Sequence, residues 1–151
     1  METRIGEKME VPYANLNRIY QNYKKELDKA VHDCIDNSWF IKGPKVEEFE
    51  KNLSEYCNAP AVGVSSGTSA LLLAYECLEL RPGDKIVIPS FTFISTPEMA
   101  SKLGLEIVWA DCNKENYTIN TDDLAGILSS TKGIKAIVGV DIFGHTCDWS
   151  T

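Results

Sequence analysis

From about residue 60 to residue 143, short apolar runs alternate with segments of helical spacing, and this alternation restricts the fold more than any other feature. The apolar runs are Ala61-Val62-Gly63-Val64, then 85–89 (Lys-Ile-Val-Ile-Pro), 106–111, and 134–140. Between them, Ala70, Leu71, Ala74, Cys77 and Leu78 recur at steps of three and four. A second helix starts at Thr96-Pro97-Glu98 and ends near Gly104, and a third runs over about 121–129. Apolar steps of three and four mark one face of a helix. Arg81-Pro82-Gly83-Asp84 is a strong turn signal. Strands that are nearly all apolar and alternate with helices predict a mainly parallel sheet covered by helices on both faces, a three-layer α/β/α arrangement.

Ahead of this region, residues 1–10 read as a polar lead-in. Leu16, Ile19, Tyr20, Tyr23, Leu27, Ala30, Val31 and Cys34 then form a single helical stripe, which Asp36-Asn37-Ser38 ends in a loop. Gly43-Pro44 predicts a second helix start with proline in its first turn, Glu47 and Glu48 near its positive end, and Val46, Phe49, Leu53 and Tyr56 as its buried face. There is no internal repeat and no linker that divides residues 11–151. No helical segment follows the last apolar run, where a doubly wound fold ordinarily places one.

Charge and composition exclude several classes. The net charge is -7, and Lys24-Lys25 is the longest basic run. Nucleic-acid binders draw affinity from neutralised phosphates, so nucleic acid is not an expected partner. No stretch nears the ~20 apolar residues that span a bilayer, so no membrane partner is expected either. The opening Met-Glu-Thr-Arg has no apolar leader character, and the expected location is the cytoplasm. Five cysteines, Cys34, Cys57, Cys77, Cys112 and Cys147, are widely spaced, and three of them read as small core residues. His145 and Cys147 stand two apart but lack the further ligands of a tetrahedral site, so no metal is expected.

Three segments could carry chemistry. Ser65-Ser66-Gly67-Thr68-Ser69-Ala70 joins an apolar run to a helix. Free N–H groups and partial positive charge at a helix start, with glycine and small hydroxyl residues, make a phosphate cradle. The same residues serve equally as a Ser/Thr cap on a tight turn. The segment has neither the G-x-G-x-x-G spacing nor the lysine of a P-loop. Pro89-Ser90-Phe91-Thr92-Phe93-Ile94-Ser95-Thr96 follows a strand at the edge where open α/β sheets bind ligands. Its two phenylalanines either stack on a flat ring or fill the core. Asp141-Ile142-Phe143-Gly144-His145 follows another strand; there Asp141 either meets a ligand or caps a turn, and His145 has no visible partner.

Taken together, these segments resemble the DegT/DnrJ/EryC1/StrS family of sugar aminotransferases from about Val11 onward. The carriers are Val11-Pro12-Tyr13-Ala14-Asn15-Leu16, Trp39-Phe40-Ile41-Lys42-Gly43-Pro44, Val64-Ser65-Ser66-Gly67-Thr68-Ser69-Ala70-Leu71, Arg81-Pro82-Gly83-Asp84, Ile88-Pro89-Ser90-Phe91-Thr92-Phe93, and Asp141-Ile142-Phe143-Gly144 with Cys147-Asp148. Their order and spacing make the match specific. The resemblance implies part of the large domain of a fold-type-I enzyme dependent on pyridoxal 5'-phosphate (PLP). Such enzymes move an amino group, usually from glutamate, to a nucleotide-linked keto sugar in amino-sugar and polysaccharide biosynthesis. It implies that Gly67 and Thr68, with Ser69 in the same turn, hold the PLP phosphate, that Phe93 lies over the cofactor ring, and that Trp39 and Phe40 lie near the substrate. It also implies a dimer with the active site at the subunit interface.

In the family, the Schiff-base lysine and the acid that pairs with the pyridine nitrogen fall beyond residue 151. Lys85, Lys132 and Lys135 do not stand at the family position, so no catalytic residue is assigned and the chain is expected to be inactive alone. The run 61–64 is the family's edge strand, separated from its sequence neighbours by strands that come later. It is therefore expected to lack partners, leaving the chain poorly stable, rearranged or completed by another chain. Two alternatives remain open: a non-catalytic module that binds a phosphate ligand or a partner, and part of a related PLP sugar dehydratase in which histidine replaces the lysine.

Overall fold

The structure, a computed structural model, describes residues 11–150. The polar lead-in expected over 1–10 lies outside the described residues. The described residues divide into two compact units, one up to Gly63 and one from Val64.

The N-terminal unit is helical. The expected single stripe over 16–34 is two helices, α1 (Leu16–Asn22) and α2 (Lys24–Asp36). They break at Tyr23, whose φ of -116° and ψ of 18° leave the helical region while its N–H reaches both Ile19 O and Tyr20 O. The Asn15 side chain caps α1 by accepting the Arg18 N–H at 2.9 Å. Helix α3 (Pro44–Cys57) starts where the Gly43-Pro44 pair predicts, with Pro44 in the first turn and Glu47 beside it. Gly43 is needed for a close approach, because a Cβ there would lie 2.8 Å from the Trp39 Cβ.

Two expectations fail in this unit. The face of α3 expected to be buried is exposed: Phe49 by 59% and Tyr56 by 89%. Gly43 is the only fully buried position among the unit's described residues, because an amphipathic stripe is buried only when another layer packs on it. Nor do residues 61–64 form a strand. The Ala61 N–H instead donates to Ser54 Oγ at 2.9 Å, and the Gly63 N–H to Glu50 Oε1 at 2.7 Å. Alternate N–H groups of an extended run point the same way, and one side of α3 supplies the acceptors that a neighbouring strand would have given.

The C-terminal unit contains α4 (Gly67–Cys77), β1 (Lys85–Pro89), α5 (Ser95–Lys102), β2 (Glu106–Ala110), α6 (Thr121–Ser130), β3 (Ile134–Ile137) and a short 3-10 turn (Ile142–Gly144). The strands form a parallel sheet in the order β2-β1-β3. Central β1 is the heart of the core, with Ile86, Val87 and Ile88 all at 0% exposure. Strand alternation sends Ile86 and Ile88 to one face, against Tyr75 of α4, Met99 and Ala100 of α5, and Leu105. Val87 points to the other face, with Ala110, Ile119, Cys147, and Leu124 and Ile127 of α6. The three expected layers are therefore present, with α4 and α5 on one face and α6 on the other. Burying each of those β1 side chains contributes about 1.5–3 kcal/mol.

The boundaries shift modestly. β3 ends at Ile137 rather than 140, with only the Val138 N–H continuing the ladder to Val87 O at 2.9 Å. Its register slips beside Lys85, which faces Ile134 while Ile86 faces Ala136. The 81–84 turn forms as expected: the Asp84 N–H donates to Arg81 O at 2.9 Å and the Arg81 N–H to Asp84 Oδ2 at 2.8 Å. Of the cysteines, only Cys147 is buried among the described residues, not three. Cys77 is exposed at the last residue of α4, where the packed face runs out, and Cys57 ends α3, whose apolar face is itself uncovered. Among the described residues no helix is long and apolar enough to cross a membrane.

Candidate functional site

In a parallel sheet the loops after the strands gather at one edge, and each preceding helix begins there. Helix α4 runs antiparallel to β1, so its N-terminus meets the loop that leaves β1 at Pro89. Ser66 is the α4 cap. Its backbone is extended, and its Oγ accepts the Ser69 N–H at 3.1 Å. The Ser69 hydroxyl also shares hydrogen bonds with Ser65 Oγ at 2.9 Å and Ser66 Oγ at 3.1 Å. Ser69 is thus committed to the cap, and the cap reading of this segment holds for it.

Gly67 and Thr68 differ. Their N–H groups are in the first turn of the helix, where no intrahelical carbonyl is available. Among the described residues no acceptor meets either one. The first turn carries no acidic side chain to occupy its positive end. A Cβ at Gly67 would meet nothing within 4 Å, so open space lies directly beside these donors.

The loop after β1 brings up an aromatic ring. Phe93 is 70% exposed, so it does not fill the core. It lines a cleft of about 430 Å³ together with Gly67, Thr68, Leu71, Ser95 and Thr96. Phe91 turns away, its ring 5.4 Å from Tyr117 and 6.2 Å from Phe143. The two walls of the cleft are tied beneath the surface. The Tyr75 hydroxyl of α4 donates to Thr96 O of α5 at 3.1 Å, and Thr96 Oγ1 pairs with Thr92 Oγ1 at 2.9 Å. Burial pushes the Tyr75 phenol above its ordinary range. The sequence marks Ser95 and Thr96 within the 89–96 segment and Leu71 within the 64–71 motif, but gives none of them a role of its own, and it gives no sign of Tyr75. Leu71 lies one turn beyond Thr68, a spacing that places it on the same side of α4; the Tyr75–Thr96 contact is visible only once α4 and α5 pack.

The third segment reads as structure. Asp141 Oδ1 accepts the Cys147 N–H at 2.8 Å, and His145 is exposed and follows the 3-10 turn. Burial, then the neighbouring Asp141, pushes the Cys147 thiol up. Trp39 and Phe40 lie in the N-terminal unit, 38% and 71% exposed, with the Trp39 N–H bonded to Cys34 O at 2.9 Å.

A helix N-terminus with free donors beside an exposed ring suits a flat phosphate ester. The profile of the DegT/DnrJ/EryC1/StrS aminotransferase family matches residues 21–151. The chain belongs to that family. It is 31% identical over 139 residues to the dTDP-3-amino-3,6-dideoxy-alpha-D-galactopyranose transaminase of Aneurinibacillus thermoaerophilus, covering 91% of this chain and 38% of that protein. Among solved structures it superposes on a DegT DnrJ EryC1 StrS aminotransferase from Brucella abortus with a TM-score of 0.85 and 29% identity, over 93% of this chain and 39% of the other. It also superposes on the E. coli GDP-4-keto-6-deoxy-D-mannose-3-dehydratase with bound hydrated PLP, at a TM-score of 0.71 and 27% identity, over 77% of this chain and 31% of the other. The fold is thus part of a fold-type-I aminotransferase domain, and the chain spans under two fifths of the length of these family members.

Proposed function

We propose that this chain is the N-terminal part of a PLP-dependent aminotransferase that acts on nucleotide-linked keto sugars, with glutamate as amino donor. The observation that carries the reading is the placement of two acceptor-free N–H groups, those of Gly67 and Thr68, on the same cleft as the exposed Phe93 ring.

These residues fit PLP. The Gly67 and Thr68 amides and the Thr68 hydroxyl would hold the phosphate, helped by the positive end of α4. Phe93, on the same cleft, would offer its ring to the cofactor and keep water from it. Ser69 acts indirectly, by holding the cap that aims the two amides. Trp39 and Phe40 contribute to the sugar-nucleotide site. PLP, when bound, supplies an electron-accepting ring conjugated to the carbon that carries the amino group.

The lysine for this chemistry is not Lys85, Lys132 or Lys135. Lys85 opens β1, where it pairs with Glu106 at 3.4 Å, and Lys135 lies in the first half of β3. The cleft lies beyond the other end of β1, four residue steps or roughly 13 Å from Lys85. The working enzyme is a cytoplasmic homodimer, and residues 11–151 are one part of its large domain. Sugar dehydration would use the same cleft. Amino transfer is preferred because the family profile that matches residues 21–151 is that of aminotransferases, and the curated relatives that resemble the chain include sugar transaminases.

An absorbance scan of the purified chain with PLP, before and after borohydride, tests the assignment of roles. The expected result is that borohydride fixes no cofactor to any lysine of the chain. A stable adduct on one of its own lysines would mean that the chain carries its own catalytic lysine, and the partial-enzyme reading would fail.

A further inference from the structure

Ser95 is the first residue of α5 and is 4% exposed. It lines the same cleft as Gly67 and Thr68, from the opposite wall. Its hydroxyl makes no hydrogen bond with any described residue, whereas the adjacent Thr96 hydroxyl is paired with Thr92. No described side-chain oxygen that is sealed from solvent lacks a partner. The Ser95 hydroxyl therefore keeps access to open space, and the space its residue borders is the cleft. A polar group nine-tenths buried and left without a partner is costly unless a ligand or water completes it.

The chemistry of the other wall says what that ligand offers. A phosphate monoester presents three strong acceptor oxygens. The two free amides of α4 serve part of that set, and a hydroxyl facing them can donate to an oxygen they do not reach. We propose that Ser95 is a phosphate-binding residue, donating its hydroxyl proton across the cleft to the phosphate group held by Gly67 and Thr68. The proposal rests on the cofactor reading given above. It adds a donor on α5 to a cradle otherwise built on α4, so the grip on phosphate depends on both walls. The Tyr75–Thr96 hydrogen bond, one residue along, sets the spacing between those walls.

The test is a titration of the ¹⁵N-labelled chain with inorganic phosphate and, separately, with PLP, following the Gly67 and Thr68 amide resonances. Ser95→Ala removes the hydroxyl, and Ser95→Cys keeps nearly the same volume with a poor donor. Both variants should leave the ligand-free spectrum intact away from α5 and weaken both ligands roughly tenfold, the loss expected for one hydrogen bond to a charged group. If the wild-type amides respond and either variant binds like wild type, Ser95 is not a phosphate ligand, while the cofactor reading stands. If the wild-type Gly67 and Thr68 amides respond to neither ligand, the cofactor reading itself fails and this inference with it.

Discussion

Tyr75→Phe probes the joint between the two walls of the cleft with a single atom. The Tyr75 ring packs against Ile86, Ile88, Met99, Ala100 and Leu105, and the residue is 4% exposed. Phenylalanine keeps that packing and loses only the hydroxyl that donates to Thr96 O at 3.1 Å. Thr96 O lies within α5, where it retains the helical acceptor role, so the substitution does not orphan a buried carbonyl. The expected loss is therefore that of one neutral hydrogen bond, about 1 kcal/mol. With a urea slope of roughly 1–1.5 kcal/mol per molar, the midpoint falls by about 0.7–1 M with the slope unchanged. Tyr75→Ala empties the ring's space as well and costs about 3–5 kcal/mol. Burial raises the phenol pKa above 10.0 in the folded chain. The folded state thus keeps a proton that the unfolded state releases above pH ~10, and stability falls as pH rises through that region. The gap between wild type and Tyr75→Phe should narrow there. Equal losses for Phe and Ala, or no loss for Phe at neutral pH, would refute the account of the hydroxyl as a tie between α4 and α5.

Three further outcomes follow from burial and from the open space at α4. Gly67→Ala should fold as well as wild type, since its Cβ meets nothing within 4 Å, yet weaken phosphate binding because the methyl group stands beside the donors; thermal melting and phosphate titration together check both halves. Ile88→Ala, at a position with 0% exposure, should cost about 2–5 kcal/mol in denaturant unfolding. Phe49→Ser, at 59% exposure on α3, should cost under about 0.5 kcal/mol in this chain, and a core-sized loss there would show that the α3 face is covered in solution.

The alternation of apolar runs and helical spacing was enough to determine a parallel α/β unit, and the Ser66-Gly67-Thr68 turn was enough to place a helix start with free donors. Both are local consequences of side-chain period and cap chemistry, which a linear sequence carries. The sheet order, the paired walls and the Ser95 hydroxyl are not local. They depend on α4 and α5 packing on the same face of β1, and no spacing within either helix records that contact.

The same distinction explains the corrections. Ala61-Val62-Gly63-Val64 has the composition of a strand, but a strand exists only through a neighbour's N–H and C=O groups. Without one, Ser54 and Glu50 of α3 take two of its N–H groups instead. Val46, Phe49, Leu53 and Tyr56 have the period of a buried face, but period states only which side of a helix is apolar. Whether that side is buried is decided by the layer opposite, and among the described residues of the N-terminal unit no layer covers it.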